Sequence, residues 1–324
     1  MNHARSCENE KLKQAGNPIL ITGAGGYIGS ALVKALAAAS PNRIVMLDSC
    51  EQNLFEISRC VPGEAVLGSV TDLPLLDDLF ERYHPSLVYH AAAYKHVPLL
   101  EANPFAAIHN NAIGTYTLAK AALRHGPSRL VLVSTDKAVN PHSIMGASKR
   151  IAELVFISLG MNAVRLGNVF GSTGSVVPIF RQQIAACEPV TVTHRYATRY
   201  FMTLADAVQS ILAAGAADCE GRILLPDLGE PVRIEALARS MIGDAQLPIR
   251  FTGLRPGDKL SEDLTYANEV REGTSGPLTV FRTPNLSIVE LITMIDQLRA
   301  ASTLDELLSA VSAAVPEYVP QVCR

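Results

Sequence analysis

Along the first half of the chain, short runs of Val, Ile and Leu alternate with longer stretches that carry one apolar face. The runs at 18–22, 43–48, 63–68, 86–90, 129–134 and 163–166 read as strands, and 27–39, 104–125 and 146–159 as helices. These strands lack the polar–apolar alternation of a sheet with one wet face, so they belong to a sheet covered on both sides. Strands that alternate with helices in this way predict an α/β fold built on a doubly wound parallel sheet. After Gly167 the pattern loosens, and Gly, Ser, Thr and Pro punctuate shorter elements. We read 1–17 as a polar tail, 18–167 as a Rossmann domain, and 168–324 mainly as a smaller C-terminal α/β substrate lobe with closing helices at 287–300 and 303–314. The segment 203–228, a helix at 204–214 followed by an apolar run at 223–225, packs back on the sheet in this reading.

Composition narrows the class. The chain has 324 residues, 48% hydrophobic and 18% charged, which is ordinary for a globular protein. A net charge of −3 gives no footprint for nucleic acid. No apolar run is long enough to span a bilayer, and the first 17 residues lack the apolar core of a signal peptide. The cysteines at 7, 50, 60, 187, 219 and 323 form no Cys-x-x-Cys pair, which points to reduced thiols in a cytoplasmic protein. The eight histidines show no metal-ligand spacing, so no metal site is expected.

Thr22-Gly23-Ala24-Gly25-Gly26-Tyr27-Ile28-Gly29 joins the first strand to the first helix. Glycines between a strand and a helix let a pyrophosphate approach the helix N-terminus. Gly23, Gly26 and Gly29, with Tyr27 and Ile28, are the candidate cofactor loop. Asp48 ends the second strand at the distance expected of a ribose-binding acid. Its carboxylate suits both ribose hydroxyls and repels a 2′-phosphate, so NAD is expected over NADP. Taken alone, Asp48 also reads as a strand-end turn residue.

Ser134-Thr135-Asp136-Lys137 ends the fifth strand, and Met145-Gly146-Ala147-Ser148-Lys149 opens the next helix. The four-residue spacing puts Met145 and Lys149 on one face. The arrangement resembles the Tyr-x-x-x-Lys pair of short-chain dehydrogenases/reductases, with methionine in place of tyrosine. Methionine cannot exchange a proton. Asp136 and Lys137 then become the candidates for acid–base work, although the dipeptide alone reads equally as a salt bridge at a strand end.

Further motifs occur in order: Ala92-Ala93-Tyr94-Lys95-His96-Val97-Pro98, the two runs around Asp136 and Lys149, Arg165-Leu166-Gly167-Asn168-Val169-Phe170-Gly171, Ser175-Val176-Val177-Pro178, Thr198-Arg199-Tyr200-Phe201-Met202, and Gly253-Leu254-Arg255-Pro256-Gly257-Asp258-Lys259. With the ending Val315-Pro316-Glu317-Tyr318, they resemble the CapD-like polysaccharide-biosynthesis family of extended short-chain dehydrogenases/reductases. That family contains nucleoside-diphosphate-sugar 4,6-dehydratases that act on UDP-N-acetylglucosamine, and this chain is similar to its short soluble members. The exchange of methionine for tyrosine is a habit of the family. The resemblance implies that Val70 flanks the adenine, with Ser69 beside it in a place that is often acidic. It implies that Ala91, Ala92, Ala93, Lys95, Asn111 and Lys149 line the cofactor. It assigns Lys95, His96, Asn168, Val177, Arg199 and Arg255 to the sugar nucleotide, the two arginines being suited to its diphosphate. Tyr27 departs from the family's serine, and Ser261 from an aromatic residue.

The reaction implied is transient oxidation at carbon 4 by NAD, loss of water across carbons 5 and 6, and hydride return to carbon 6. Thr135 is expected at the carbon 4 oxygen, Lys137 as a neutral base at carbon 5, and Asp136 as a protonated acid at carbon 6. A neutral Lys137 requires a lowered pKa, for which Lys149 and the nicotinamide cation are candidate causes. The group that takes the carbon 4 hydroxyl proton stays open. Two other readings stay open as well, a 4-epimerase and a cofactor-binding regulator without catalysis. Helices 104–125 and 146–159 resemble the pair that builds a four-helix dimer interface in the superfamily, so a homodimer or higher homo-oligomer is expected.

Overall fold

The computed structural model describes residues 18–39, 44–126 and 129–320. The tail 1–17, Arg43, Cys7 and Cys323 lie outside the described residues. The first half runs β1 (Ile19–Thr22), α1 (Tyr27–Ala39), β2 (Ile44–Asp48), α2 (Glu51–Ser58), β3 (Glu64–Leu67), α3 (Leu73–Tyr83), β4 (Leu87–His90), α4 (Val97–Glu101), α5 (Pro104–Ala107), a π-helical turn (Ile108–Ile113), α6 (Gly114–Arg124), β5 (Arg129–Thr135), a 3-10 turn (Asp136–Ala138), α7 (Ile144–Ser158) and β6 (Asn162–Leu166). The second half runs β7 (Asn168–Val169), α8 (Val176–Ala185), β8 (Val190–Val192), β9 (Thr198–Arg199), β10 (Phe201–Met202), α9 (Leu204–Ala216), β11 (Ile223–Pro226), β12 (Val232–Arg233), α10 (Ile234–Ile242), β13 (Ile249–Phe251), β14 (Val270–Ser275), β15 (Leu278–Arg282), α11 (Ile288–Ala300) and α12 (Leu304–Ala314).

Among the described residues the main sheet has nine strands in the order β14-β15-β11-β6-β5-β4-β1-β2-β3. From β3 to β11 neighbouring strands are parallel, and β15 and β14 add an antiparallel edge. The expected fold class is therefore present, with this edge as an addition the apolar pattern did not show. Strand order reverses between β1 and β4, which opens a crevice at the carboxyl ends where such folds bind ligands. β1, β2, β4 and β6 are buried along their whole length, as their unbroken apolar runs require.

Two apolar clusters cover the two faces of the sheet. One joins α3, α6, α7, α11 and α12 through Phe80, Leu118, Phe156, Leu298 and Val311. The other joins α1, α2 and α9 through Leu32, Leu54 and Ile211. A third, smaller cluster of Phe180, Val190, Val192, Ile234 and Ile242 is the core of a lobe built from α8, β8 and α10. The C-terminal helices thus pack with the sheet layer and not with the small lobe. Every residue of α7 from Ile144 to Ile157 is buried within this one chain, because α11 and α12 lie against it. The expected four-helix interface through α7 is therefore covered by the chain itself.

The segment 104–125 is not one helix. Asn111, at its middle, accepts from the Tyr94 N–H at 2.8 Å and donates to the Tyr94 carbonyl at 2.9 Å and to Ser148 Oγ at 3.0 Å. The chain widens into a π turn there, a feature often found near functional sites.

Candidate active site

At the cofactor end, the Gly23 N–H donates to the Leu47 carbonyl at 2.8 Å, so the glycine loop is tied to β2. Gly23 has φ +68°, and a Cβ there would lie 2.7 Å from the Ala92 backbone. A Cβ on Gly29 would strike the Gly23 carbonyl oxygen. Both positions therefore demand glycine, and the loop stays flat against the mouth of the sheet. Asp48 accepts from the Gly25 N–H at 2.8 Å and from the Cys50 N–H at 2.9 Å. Its carboxylate holds the loop and keeps lone pairs free for a ribose. The first-turn N–H groups of α1 have no partner within the helix. These features fit an adenine dinucleotide, whose pyrophosphate would meet the first turn of α1 and whose ribose would meet Asp48.

The other expected cofactor residues divide. Ala91, Ala92 and Ala93 follow β4 at the crevice, and Gly23 abuts Ala92. Val70 is buried in the core, 3% exposed, and the Ser69 hydroxyl bonds Thr71 Oγ1 at 2.8 Å. Ile28 packs on the core beneath α1. Asn111 spends its amide on Tyr94 and Ser148, so it shapes the loop after β4, on which Lys95 and His96 stand exposed. Tyr27 points across the crevice, and its hydroxyl donates to the Phe170 carbonyl.

The catalytic candidates meet at the end of β5. The Thr135 hydroxyl donates to Asp136 Oδ1 at 2.9 Å, and Lys137 Nζ donates to the same oxygen at 3.0 Å. Lys137 Nζ also donates to Asn168 Oδ1 at 2.7 Å. Asp136 is 0% exposed, and its Oδ2 is buried without a hydrogen-bond partner. Burial alone would lower the Lys137 pKa, but Asp136 and Glu262 outweigh it, against Arg199, and hold it above the ordinary lysine value. The expectation of a neutral Lys137 is thus overturned for the resting site, since two carboxylates stand beside the amine. Burial does depress Lys149, to about 8, with Glu153 opposing, and it lowers Lys95 as well. Met145 is 3% exposed and belongs to the core.

The floor beneath β5 is charged and closed. Arg165 donates to Glu153 at 2.8 Å through two nitrogens and to Glu269 at 2.7 Å through two more contacts. Glu153 also accepts from Ser134 Oγ at 2.7 Å and from Arg150 at 3.1 Å. Burial pushes the Glu153 carboxyl up, but Arg165 and Arg150 more than reverse that and hold it below the usual carboxylate range. Tyr266 closes over the turn from the far side and donates to the Ala138 carbonyl at 2.7 Å, while Lys259 Nζ donates to the Val139 carbonyl at 3.0 Å. Sequence reasoning missed Glu153, Lys259, Glu262, Tyr266 and Glu269. Lys259 alone carried a signal, as the last residue of the Gly253–Lys259 motif.

Three expected substrate residues stand differently from their sequence reading. Arg199 already donates to the carbonyls of Thr198, Lys259 and Leu260 and lies 3.4 Å from Glu262, so in this arrangement its guanidinium is fixed to the small lobe. Arg255 pairs with Asp258 at 2.9 Å and is half exposed. Val177 lines an open groove with Phe170, Arg181, Leu237 and Met241, apart from the Asp136–Lys137 pair. Among the described residues no group of His, Cys, Asp and Glu is placed to hold a metal ion, and no helix is long and apolar enough to cross a membrane.

Comparison with known proteins agrees with this fold and with the motifs. EpsC of Bacillus subtilis strain 168, a probable polysaccharide biosynthesis protein, is 44% identical over 274 residues, covering 79% of this chain and 46% of EpsC. CapD of Staphylococcus aureus, a capsular polysaccharide biosynthesis protein, is 42% identical over 272 residues, covering 78% and 45%. The chain thus spans about half the length of these two relatives. An inverting UDP-N-acetylglucosamine 4,6-dehydratase of Campylobacter jejuni is 32% identical over 268 residues (78% and 79% covered), and a UDP-glucose 4-epimerase of Rickettsia massiliae is 31% identical over 270 (78% and 78%). The solved structure of DesIV, a dTDP-glucose 4,6-dehydratase of Streptomyces venezuelae with NAD bound, superposes with a TM-score of 0.70 at 22% identity, covering 87% of this chain and 97% of DesIV, which speaks for the fold. The profile of one family matches residues 19–282, and the chain belongs to that family, the polysaccharide biosynthesis proteins.

Proposed function

We propose that the chain dehydrates a nucleoside-diphosphate sugar, UDP-N-acetylglucosamine being the first candidate, to a 4-keto-6-deoxy product with NAD as resident cofactor. The observation that carries this reading is the Asp136–Lys137 pair, with one carboxylate oxygen free, beside a helix whose tyrosine position holds Met145. The named dehydratase relative supports it.

When bound, NAD supplies the acceptor for the carbon 4 hydride and its return to carbon 6. The glycine loop would hold the pyrophosphate, Asp48 the adenosine ribose and Lys149 the nicotinamide ribose. Thr135 Oγ1 would hydrogen-bond the carbon 4 oxygen. A ketone at carbon 4 acidifies the carbon 5 proton. With Lys137 held as an ammonium by the carboxylates beside it, the roles run opposite to the sequence-based assignment. Asp136 Oδ2 takes the carbon 5 proton, and Lys137 Nζ gives a proton to the carbon 6 hydroxyl as its C–O bond breaks, releasing water. After carbon 6 is reduced, Asp136 returns its proton to carbon 5. The proton of the carbon 4 hydroxyl leaves to solvent as carbon 4 is oxidised, and Lys137 takes one back from solvent after water is released. Each group thus ends in its starting state, as a catalyst must.

A 4-epimerase shares the oxidation at carbon 4 but needs no acid and base at carbons 5 and 6, which is what the Asp136–Lys137 pair would add. The test is incubation of the purified protein with UDP-N-acetylglucosamine, read by mass spectrometry. Loss of one water supports dehydration. An isobaric product would establish epimerisation instead, and unchanged substrate across a panel of sugar nucleotides would leave a cofactor-binding regulator.

A further inference from the structure

Asp136 is not the only carboxylate beside Lys137. Glu262 follows the small lobe's Gly253–Lys259 motif, and its side chain is 2% exposed. Its Oε1 lies 3.7 Å from Lys137 Nζ and 3.4 Å from Arg199 Nε. Its Oε2 lies 3.7 Å from Lys259 Nζ and has no hydrogen-bond partner. A buried carboxylate is normally hydrogen-bonded, so this one is held mainly by the charges around it. His142 and Lys137 line the same small cavity as Glu262.

We propose that Glu262 is a positioning residue for Lys137: it holds the ammonium at the reaction site and, with Asp136, keeps it charged as the proton donor. Three cations, Lys137, Arg199 and Lys259, face two buried carboxylates, Asp136 and Glu262, while a third buried carboxylate lining the cavity, Asp258, pairs with Arg255. Asp263 also pairs with Lys259, at 3.3 Å, but is half exposed. Burial and Lys259, against Glu262 and Asp263, hold the His142 pKa below its ordinary value. The other two cations are fixed by backbone carbonyls, Lys259 by Val139 and Arg199 by Thr198, Lys259 and Leu260. They cannot swing away if Glu262 loses its charge. Lys137 would then face two cations with one carboxylate, and its proton would be held less tightly. Arg199 and Lys137 share one oxygen of Glu262, so the residue also ties the proton donor to the small lobe.

This inference rests on the dehydratase reading for its consequence, but its test does not. Competitive acetylation of the full chain across a pH series, read by peptide mass spectrometry, gives the midpoint at which Lys137 becomes reactive. Glu262→Gln is expected to lower that midpoint by about 1 pH unit or more. The alkaline limb of kcat should move to lower pH by a similar amount, with KM little changed. Glu262→Asp keeps the charge one methylene further back and should lower the midpoint by less, which serves if the glutamine variant does not fold. An unchanged Lys137 midpoint in either folded variant overturns the proposal. A lowered midpoint in a protein that removes no water from any sugar nucleotide keeps the Glu262–Lys137 coupling and rejects the dehydratase reading.

Discussion

The Tyr27 hydroxyl donates to the Phe170 carbonyl oxygen at 2.8 Å, joining the first residue of α1 to the segment after β7. In the sheet, β1 and β6 are separated by β4 and β5, so the mouths of these strands lie about 14 Å apart. The contact therefore bridges the crevice in which the fold seats a dinucleotide. Tyr27→Phe removes this single, partly exposed hydrogen bond. It is expected to speed NAD release about two- to tenfold, as seen by displacement kinetics, with little change in the melting temperature. An unchanged release rate would show that the bridge does not retain the cofactor.

Met145 fills the tyrosine position but lies in the core at 3% exposure. Met145→Leu nearly conserves volume and should cost less than about 1.5 kcal/mol of stability, with turnover close to that of the parent. Met145→Tyr should fail to rescue an Asp136→Asn enzyme, because a phenol on the helix serves carbon 4. Recovery of turnover in that double variant would place the missing acid–base function on the helix.

Much of this could be read from the chain, and the failures have a physical pattern. The parallel strands were legible because burial on both faces leaves unbroken apolar runs, as in Ile44–Asp48 and Leu87–His90. The glycine loop, Asp48 and the Asp136–Lys137 pair were legible because each is local in sequence. Helix α3 was missed, although Asp72 caps it and Pro74 opens it, because its apolar face is short. The break in 104–125 depends on Asn111 reaching Tyr94, and the second carboxylate beside Lys137, Glu262, comes from far along the chain. Neither partner leaves a pattern near the residue it meets. Arg165 read as one more residue of an apolar strand, and only its pairing with Glu153 and Glu269 shows why a charge is buried there.

Those pairs make a stability prediction. Arg165→Met leaves Glu153 with Arg150 and the Ser134 hydroxyl and removes the Arg165 cation from Glu269. Breaking a buried ion pair by removing one partner costs about 3–5 kcal/mol. A urea midpoint that falls accordingly is the expected outcome, and a midpoint within error of the parent would mean that water replaces the guanidinium.

Lys149 adds a pH dependence. Burial lowers its pKa to about 8, against the pull of Glu153. In the unfolded chain it holds its proton to about pH 10.4. Between these values the unfolded state binds more protons, so this group makes stability rise with pH, and below the lower value the buried ammonium costs its full penalty. Lys149→Met is therefore expected to raise the melting temperature of cofactor-free protein at pH 7, with the gain fading toward pH 10. A gain that instead grows with pH would reverse the sign and contradict the assignment.

The most direct test of the central claim, that Asp136 is the base and Lys137 the acid, is solvent deuterium incorporation at carbon 5 of the sugar in heavy water. It is read by NMR and mass spectrometry for the parent, Asp136→Asn and Lys137→Met enzymes, each with NAD bound. The account predicts that Asp136→Asn loses both exchange and dehydration, with turnover down by about a hundred- to ten-thousand-fold. Lys137→Met should still exchange carbon 5 while water loss is nearly abolished. Exchange that survives in Asp136→Asn and vanishes in Lys137→Met would contradict the account and return the base to Lys137.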